Sequence, residues 1–526
     1  MNILDLETDN ITEPLAACVC VIGSGPAGAI VAAELAKKKI DVLLLEAGGR
    51  SPDFSNESIS NINIFSDVTD LRFGWSRQFG GASNLWAGRT YPLEEADFKK
   101  RSWVPDSGWP FPLDTLEPYY QNASKLLDIP GYQFFKNREG ANIQEEVFNS
   151  VINAETGLEA NCFQWAKAPF NSSVYLKGIA KQHPSLRILL NASVGRLIEK
   201  TDATSVDTVQ VVKTDGSLVN IKARYFVLAG GGIETPRLLL NSNQISPAGI
   251  GNEYDNVGRY FSTHPKADMA AIVLNKSVST SNALFMDCPL EKGSYRYGIS
   301  SSMQIQEKFE LLNHYVQLSP LLEYQASQAF EVLKNTKILQ SGLIDRNKLL
   351  KGFLPGIGKI AYEAISRIAR LQPRTKTFTL RGFLDQYPNR ENRIMLSNDQ
   401  KADGTNKANI SWCFSEKDKS SVLNFFSYLD KVLQEKEIGR VEYSGLKKTK
   451  DWPLIGIHSH FMGTTRMGED KKTSVTDANA RVHGSSNLYI AGPSLFPTYG
   501  FANPFLTISA LSIRLGEHLA KQINKN

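Results

Sequence analysis

Cysteine is scarce in this chain: five in 526 residues, with no Cys-x-x-Cys among them. That excludes a disulfide framework and a zinc ribbon, and Cys18, Cys20, Cys162, Cys288 and Cys413 read as reduced, mostly buried thiols of a cytoplasmic protein. Long apolar runs are missing as well. No stretch reaches the roughly 18 residues a membrane-spanning helix needs, so no transmembrane segment is expected. Residues 1–14 (MNILDLETDNITEP) are acidic and lack the basic start and apolar run of a secretory signal. An excess of one charge is absent too. The 59 basic and 54 acidic side chains leave +5 over the whole chain, and a pI near 8.7 on that balance gives no field for nucleic acid. No Cys/His/Asp spacing suggests a metal site, and the Gly-x-Ser-x-Gly turn of a serine hydrolase does not occur. What remains is a globular protein of enzyme size. With 42% hydrophobic and 21% charged residues it is far from disorder, and its length suits about three domains or fewer large ones.

What is present starts at the N-terminus. Residues Ala16–Ile22 (AACVCVI) form an almost wholly apolar run, as a strand buried in a parallel sheet should. Gly23-Ser-Gly25-Pro-Ala-Gly28 follows at once, then a helical stretch with Ala29, Ile30, Ala33 and Ala36. It ends in Lys37-Lys38-Lys39, cations suited to the negative end of a helix. A second apolar run, Val42–Leu45, leads into Glu46, 18 residues after Gly28. In that order the segment reads as a dinucleotide site. Gly23 and Gly25 allow a tight turn that brings backbone N–H groups to a pyrophosphate, Gly28 lets helix and strand pack closely, and Glu46 accepts from ribose hydroxyls. Gly356-Ile-Gly358-Lys-Ile-Ala361 fits the same short pattern but follows Phe353-Leu354-Pro355 rather than a strand, and reads as chance. Cys18 and Cys20 belong to the first strand and match no redox spacing.

Three further segments narrow the choice of dinucleotide. Gly80-Gly81-Ala82-Ser83-Asn84-Leu85-Trp86-Ala87-Gly88 is a glycine-rich loop able to run close to a ligand. Tyr225-Phe-Val-Leu-Ala-Gly230-Gly231-Gly232 is a strand ending in glycines, with Thr235-Pro236 beyond as a helix start, and Leu488-Tyr-Ile-Ala-Gly492-Pro493 is another strand breaking at glycine. With Ser107-Gly-Trp-Pro-Phe, Asn256-Val-Gly-Arg-Tyr-Phe-Ser-Thr-His-Pro265, Pro388-Asn-Arg-Glu-Asn-Arg and the stretch from His460 to Leu519, the chain resembles the glucose–methanol–choline (GMC) family of FAD-dependent oxidoreductases. The C-terminal stretch is most similar to a bacterial sugar-oxidising branch that includes pyranose oxidases.

The resemblance implies an α/β fold: a discontinuous Rossmann-like FAD-binding domain, and a second substrate domain built on an antiparallel sheet plus helices. Residues 15–105, 190–265 and 455–526 would form the first, 106–189 and 266–454 the second. Gly23, Gly25, Gly28 and Glu46 would hold the ADP half of FAD, Val194 would lie by the adenine, Gly81, Ser83 and Asn84 would line the flavin side, and Gly492 would touch the pyrophosphate–ribityl part. Some relatives carry a histidine at the position of Leu85 and attach FAD to it; a leucine cannot form that bond, so non-covalent FAD is expected.

His460, in His460-Phe-Met-Gly-Thr-Thr-Arg-Met-Gly468, stands where the family keeps its catalytic histidine, and Asn503, 43 residues on, matches the second active-site residue. A neutral imidazole is a suitable base near neutral pH, and a carboxamide can hold the same oxygen without competing for its proton. Asn503-Pro504 is also an ordinary helix start, with apolar residues at Phe505, Ile508, Leu511, Leu515 and Leu519 behind it. His458, two residues before His460, reads as a packing residue or a support for it, and His264 as structural, at a position that the resemblance gives no proton-transfer role. The expected reaction is oxidation of a secondary hydroxyl of a sugar or glycoside, with electrons leaving to oxygen, a quinone or a protein carrier. The alternative is a non-redox, flavin-containing lyase of the same fold. Trp412 and Phe414 could stack on a sugar ring, although core packing is the commoner fate of such residues. Residues 335–376 are basic, with an apolar stripe through Ile357, Ile360, Ala361, Ala364, Ile365 and Ile368, and read as a helical insertion.

Overall fold

The computed structural model describes residues 2–9, 15–52, 62–64, 74–136, 146–321, 374–401, 404–448, 452, 454 and 459–525. The expected basic insertion therefore lies outside the described residues up to 373, as do Gly356–Ala361 and His458; residues 374–376 begin a strand.

The apolar run Ala16–Ile22 sits inside an eight-stranded sheet. On one side of it come Val42–Leu45, Leu186–Leu190 and Ile3–Asp5, all parallel. On the other is the long strand Leu218–Leu228. Its second half continues the parallel order with Leu488–Ile490, while its first half turns antiparallel through Val206–Val212 to Ser193–Glu199. Val19, Val21, Val42, Leu44, Ile188 and Val227 are wholly buried, which is why these strands carry no polar alternation. Helix α1 (Pro26–Lys37) crosses one face, started by Pro26 in its first turn, and buries Ala29 to Ala33. The C-terminal helix Phe505–Lys525 lies against α1, with Gly516 beside the Glu34 side chain.

A second eight-stranded sheet is antiparallel throughout. Its order is Gly439–Glu442, Lys266–Ser279, Arg374–Phe383, Tyr315–Pro320, Gly293–Ser301, Leu158–Ala166 and Arg89–Thr90, with Cys288–Leu290 alongside Gly293–Ser301. The helix Glu416–Glu435, opened by a Ser415/Asp418 capping box, buries Val422, Phe425, Phe426 and Leu429 in the apolar core of this half. Trp412 and Phe414 belong to that same core, so packing is their role. A three-stranded sheet joins Arg393–Gln400, Asn406–Ser411 and Ile62–Ile64. Arg89–Thr90, inside the expected 15–105 segment, pairs with the second sheet, and Leu186–Leu190, at the end of the expected 106–189 segment, belongs to the first. Among the described residues no helix is long and apolar enough to cross a membrane, and no group of His, Cys, Asp and Glu could hold a metal.

Candidate active site

A cavity of about 650 Å³ is lined from both large sheets. Of the residues singled out in the sequence, Gly23, Gly25, Glu46, Gly81, Val194, Gly492, His460 and Asn503 line it. Three do not. Gly28 packs the first turn of α1 on the strand end, where a Cβ would meet the Gly23 carbonyl oxygen at 2.0 Å. Ser83 turns back, its hydroxyl donating to the Gly80 carbonyl at 2.7 Å and accepting from the Ser172 N–H at 2.9 Å. Asn84 donates to the carbonyls of Phe79 and Gly81 and accepts from Asn171. A single 3₁₀ turn over Gly81–Asn84 explains the split: it presents Gly81 to the cavity and folds the next polar side chains into the loop.

One end of the cavity is backbone and carboxylate. Gly23 has φ +106°, a conformation that L side chains rarely adopt, and a Cβ there would meet the Ala229 carbonyl at 2.6 Å. A Cβ on Gly25 would meet nothing within 4 Å, so that residue leaves open cavity in front of the α1 N-terminus, which no side chain caps. Glu46 is buried; its Oε2 accepts from the Ser24 N–H at 3.0 Å and the Ser24 hydroxyl at 2.5 Å, and its Oε1 from the Gly48 N–H at 2.8 Å. The Ser24 hydroxyl in turn accepts from the Gly80 N–H at 2.8 Å, tying the glycine-rich loop to the first turn. Burial raises the Glu46 pKa while these donors oppose the rise. Each carboxylate oxygen keeps acceptor capacity for a ribose hydroxyl. An uncapped helix start, an open glycine and an oriented carboxylate suit a dinucleotide's pyrophosphate and ribose.

The other end is built from side chains. An antiparallel bridge between Ser262 and Met462 places His264 opposite His460. Their Nδ1 atoms are 2.9 Å apart, and His264 Nε2 is 2.9 Å from the Gly500 carbonyl oxygen. Burial pushes the His264 pKa down to about 3 and holds His460 well below its ordinary value, with His264, Lys266 and Arg89 adding to the effect on His460. Both rings are therefore neutral at pH 7. A carbonyl oxygen can only accept, so His264 carries its proton on Nε2 and accepts on Nδ1. His460 must then donate from its Nδ1, leaving the lone pair on Nε2, which has no hydrogen bond to any described residue. The chain of contacts sets which nitrogen of His460 keeps its lone pair.

Gly500 is fixed in turn. Its φ is +53°, and a Cβ would meet Asp97 Oδ1 at 2.4 Å. Asn503 follows three residues later on the same loop, immediately before Pro504 and the C-terminal helix. Phe505, the first residue of that helix, stacks on Trp86 with ring centroids 3.8 Å apart, and Trp86 donates to the Phe170 carbonyl at 2.7 Å. His264, read from sequence as structural, thus touches His460; only its position inside the quoted Asn256–Pro265 segment hinted at that contact. Arg89, Lys266, Gln317, Arg381 and Phe383 also line this end and carried no local signal in the sequence.

Comparison with known proteins follows the same lines. The family described as GMC oxidoreductase matches residues 77–266 and again 388–512, and an NAD(P)-binding Rossmann-like domain matches 21–61. The chain is 24% identical to paromamine 6'-oxidase of Streptomyces fradiae, over 95% of this chain and 91% of that protein. It is 23% identical to the fructose dehydrogenase large subunit of Gluconobacter japonicus, over 98% and 99%. Among solved structures, pyridoxine 4-oxidase from Mesorbium loti superposes with a TM-score of 0.55 at 16% identity, covering 97% of this chain and 99% of that one, a likeness of fold.

Proposed function

The chain belongs to the GMC oxidoreductase family of FAD-dependent flavoproteins, and from that premise we propose that it oxidises a secondary hydroxyl of a sugar or glycoside-type compound to a carbonyl. The observation that carries the mechanism is the His460–His264–Gly500 chain beside Asn503. His460 Nε2 takes the hydroxyl proton, and Asn503 holds the same oxygen as charge builds on it. As the carbon–oxygen double bond forms, the C–H bond breaks and its electron pair leaves with the hydrogen. The hydride acceptor would be the N5 of FAD held by the dinucleotide end of the cavity. His264 keeps the base in the productive tautomer, and burial in the cavity keeps it neutral.

Gly23, Gly25 and Glu46 would hold the ADP half, Val194 the adenine side, Gly81 the flavin side and Gly492 the linking part. Leu85, which lines the cavity, carries no nucleophile, so the flavin is held without a covalent bond. The interleaved division into an FAD domain and a substrate domain is part of the same proposal. The sugar reading draws support from the relatives' activities on paromamine and fructose.

The test is anaerobic mixing of the purified holoenzyme with a panel of sugars, glycosides and simple alcohols, followed by the flavin's visible absorbance. Bleaching by a sugar, slowed strongly by His460→Ala, is the expected result. A flavin that no alcohol reduces, in a protein that cleaves a cyanohydrin, would replace oxidation by lyase chemistry.

A further inference from the structure

The reacting end of the cavity carries positive charge that the described residues do not neutralise. Arg381 is satisfied: its Nε and Nη2 grip the two carboxylate oxygens of Asp268 at 2.7 and 2.8 Å. Arg89 pairs with no described carboxylate. Its guanidinium packs against the rings of Phe163 and Phe383, with the central carbon 3.9 Å from each centroid, and the Tyr315 hydroxyl lies beside it. Lys266 lies 5.5 Å from the centre of the same Phe383 ring and forms no ion pair with a described residue. Gln317, whose amide lies beside the Tyr315 hydroxyl, adds a polar side chain to the same wall. The acids lining the cavity are engaged elsewhere: Glu234 holds Arg237 at 2.9 Å, and Glu46 holds Ser24 and Gly48.

Half-buried cations with no paired carboxylate are costly, and the cost shows in their titration. Burial, with repulsion from Arg89 and Arg381, pushes Lys266 down to about 8; burial, with repulsion from Arg296 and against the pull of Tyr315 and Asp287, brings Arg89 down to about 10. Packing beside these rings positions the Arg89 guanidinium where it lines the cavity, and a guanidinium pairs strongly with a carboxylate. Lys266 and Gln317 supply further donors beside it. All of these residues line the same cavity as His460.

We propose that Arg89, Lys266 and Gln317 bind a carboxylate of the substrate, making this enzyme an oxidase or dehydrogenase of acidic sugars, such as uronates or aldonates, rather than of cationic amino sugars. The inference rests on the alcohol-oxidising reading above and specifies its substrate class. An amino sugar would place a second ammonium beside Lys266 and Arg89, whereas a carboxylate would pair with both and leave a ring or chain hydroxyl to reach His460.

The experiment uses the holoenzyme and two matched sets. D-gluconate, D-glucitol and D-glucosamine are titrated for binding by perturbation of the oxidised flavin spectrum, and methyl glucuronide and methyl glucoside are compared as anaerobic reductants. Gluconate is expected to bind at least tenfold more tightly than glucitol, with glucosamine weakest, and the glucuronide to reduce the flavin with at least tenfold higher second-order rate than the glucoside. Lys266→Met is expected to collapse both ratios to within about threefold. Arg89→Met is a second probe, read only if its flavin content matches the parent's. Equal binding of gluconate and glucitol overturns the proposal. So does a Lys266→Met variant that slows both reductants equally, since the cation would then serve the reacting centre and not the substrate's charge. Tight gluconate binding with no reduction by any alcohol would leave the anion site standing and bring down the oxidation reading instead.

Discussion

The two ends of the cavity are built on opposite principles. At the proposed dinucleotide end the groups are main-chain atoms and one carboxylate: Gly23 and Gly25 leave room at an uncapped helix start, and Glu46 is tied to Ser24 and Gly48. At the reacting end they are side chains from Arg89, His264, Lys266, Gln317, His460 and Asn503, several with unsatisfied atoms or displaced pKa values. The first end is set by local hydrogen bonds and leaves an uncapped helix start; the second holds neutral histidines and cations with no paired carboxylate among the described residues. On the proposed assignment holding and reacting are separated in one cavity, and substitutions at the two ends should fail in different ways.

The largest effect should come from His460→Ala. Removing the base is expected to slow anaerobic flavin reduction on the order of a thousandfold, in the range general bases contribute, while FAD content stays at the parent level. Stopped-flow absorbance measures the first and the ratio of flavin to protein the second; an unchanged reduction rate would sink the mechanism. Gly28→Val should fail in the opposite way. Its Cβ would lie 2.0 Å from the Gly23 carbonyl, a main-chain atom that cannot swing aside, so overpacking of about 3 kcal/mol is expected. The purified protein should be flavin-poor with a lower unfolding midpoint. A variant with full flavin and parental stability would show that the strand–helix turn does not need its glycine.

This division also explains what could be read from the sequence. The dinucleotide end lies mostly in one stretch, residues 16–46, where strand, glycines, helix and acid follow in order. Local pattern and tertiary contact coincide there. The loop at Gly80–Gly88 was legible as a close approach to a ligand, but not which of its side chains face it. That depends on the 3₁₀ turn that shows Gly81 and buries Ser83 against Ser172. His460 and Asn503 were found through the family resemblance; their partner was not. Nothing along the chain says that Ser262 pairs with Met462 and so sets His264 against His460. The cations were further out of reach. Arg89, Lys266, Gln317 and Arg381 come from four strands of the antiparallel sheet, and alternation along a strand gives a face, not the neighbour across it.

A smaller effect tests the link between the two histidines. His264→Leu removes the acceptor for the His460 Nδ1 proton and frees the base to adopt the wrong tautomer, so kcat should fall on the order of tenfold to a hundredfold. His264→Asn offers a carbonyl oxygen toward His460 and an amide N–H toward Gly500, and should restore part of the loss. A purely packing role would give the reverse order, because leucine suits the buried site better than asparagine. The ratio of the two variants' kcat values, taken with flavin content matched, decides between them.

The smallest effect is a pH dependence that differs with the substrate's charge. His460 must be unprotonated to act, and burial together with His264, Lys266 and Arg89 holds its pKa well below the ordinary imidazole value. On the acid side, then, kcat/KM should stay level through pH 6.5 and fall only below it, for every substrate. On the alkaline side the groups around the substrate's charge decide. Lys266 faces Arg89 and Arg381, with both histidines nearby, and burial and these neighbours bring it down to about 8. It is a cation below that pH and neutral above it, so a carboxylate substrate loses one of its two partners as pH rises through 8, while Arg89, brought down only to about 10, keeps its charge. The glucuronide's kcat/KM should therefore decline several-fold between about pH 7 and 9, and the neutral glucoside's should not. In Lys266→Met the alkaline decline should vanish and the acid limb stay in place. Parallel profiles for the two substrates would mean that Lys266 does not meet the substrate's charge, and would leave the contrast between the two ends resting on the histidine pair alone.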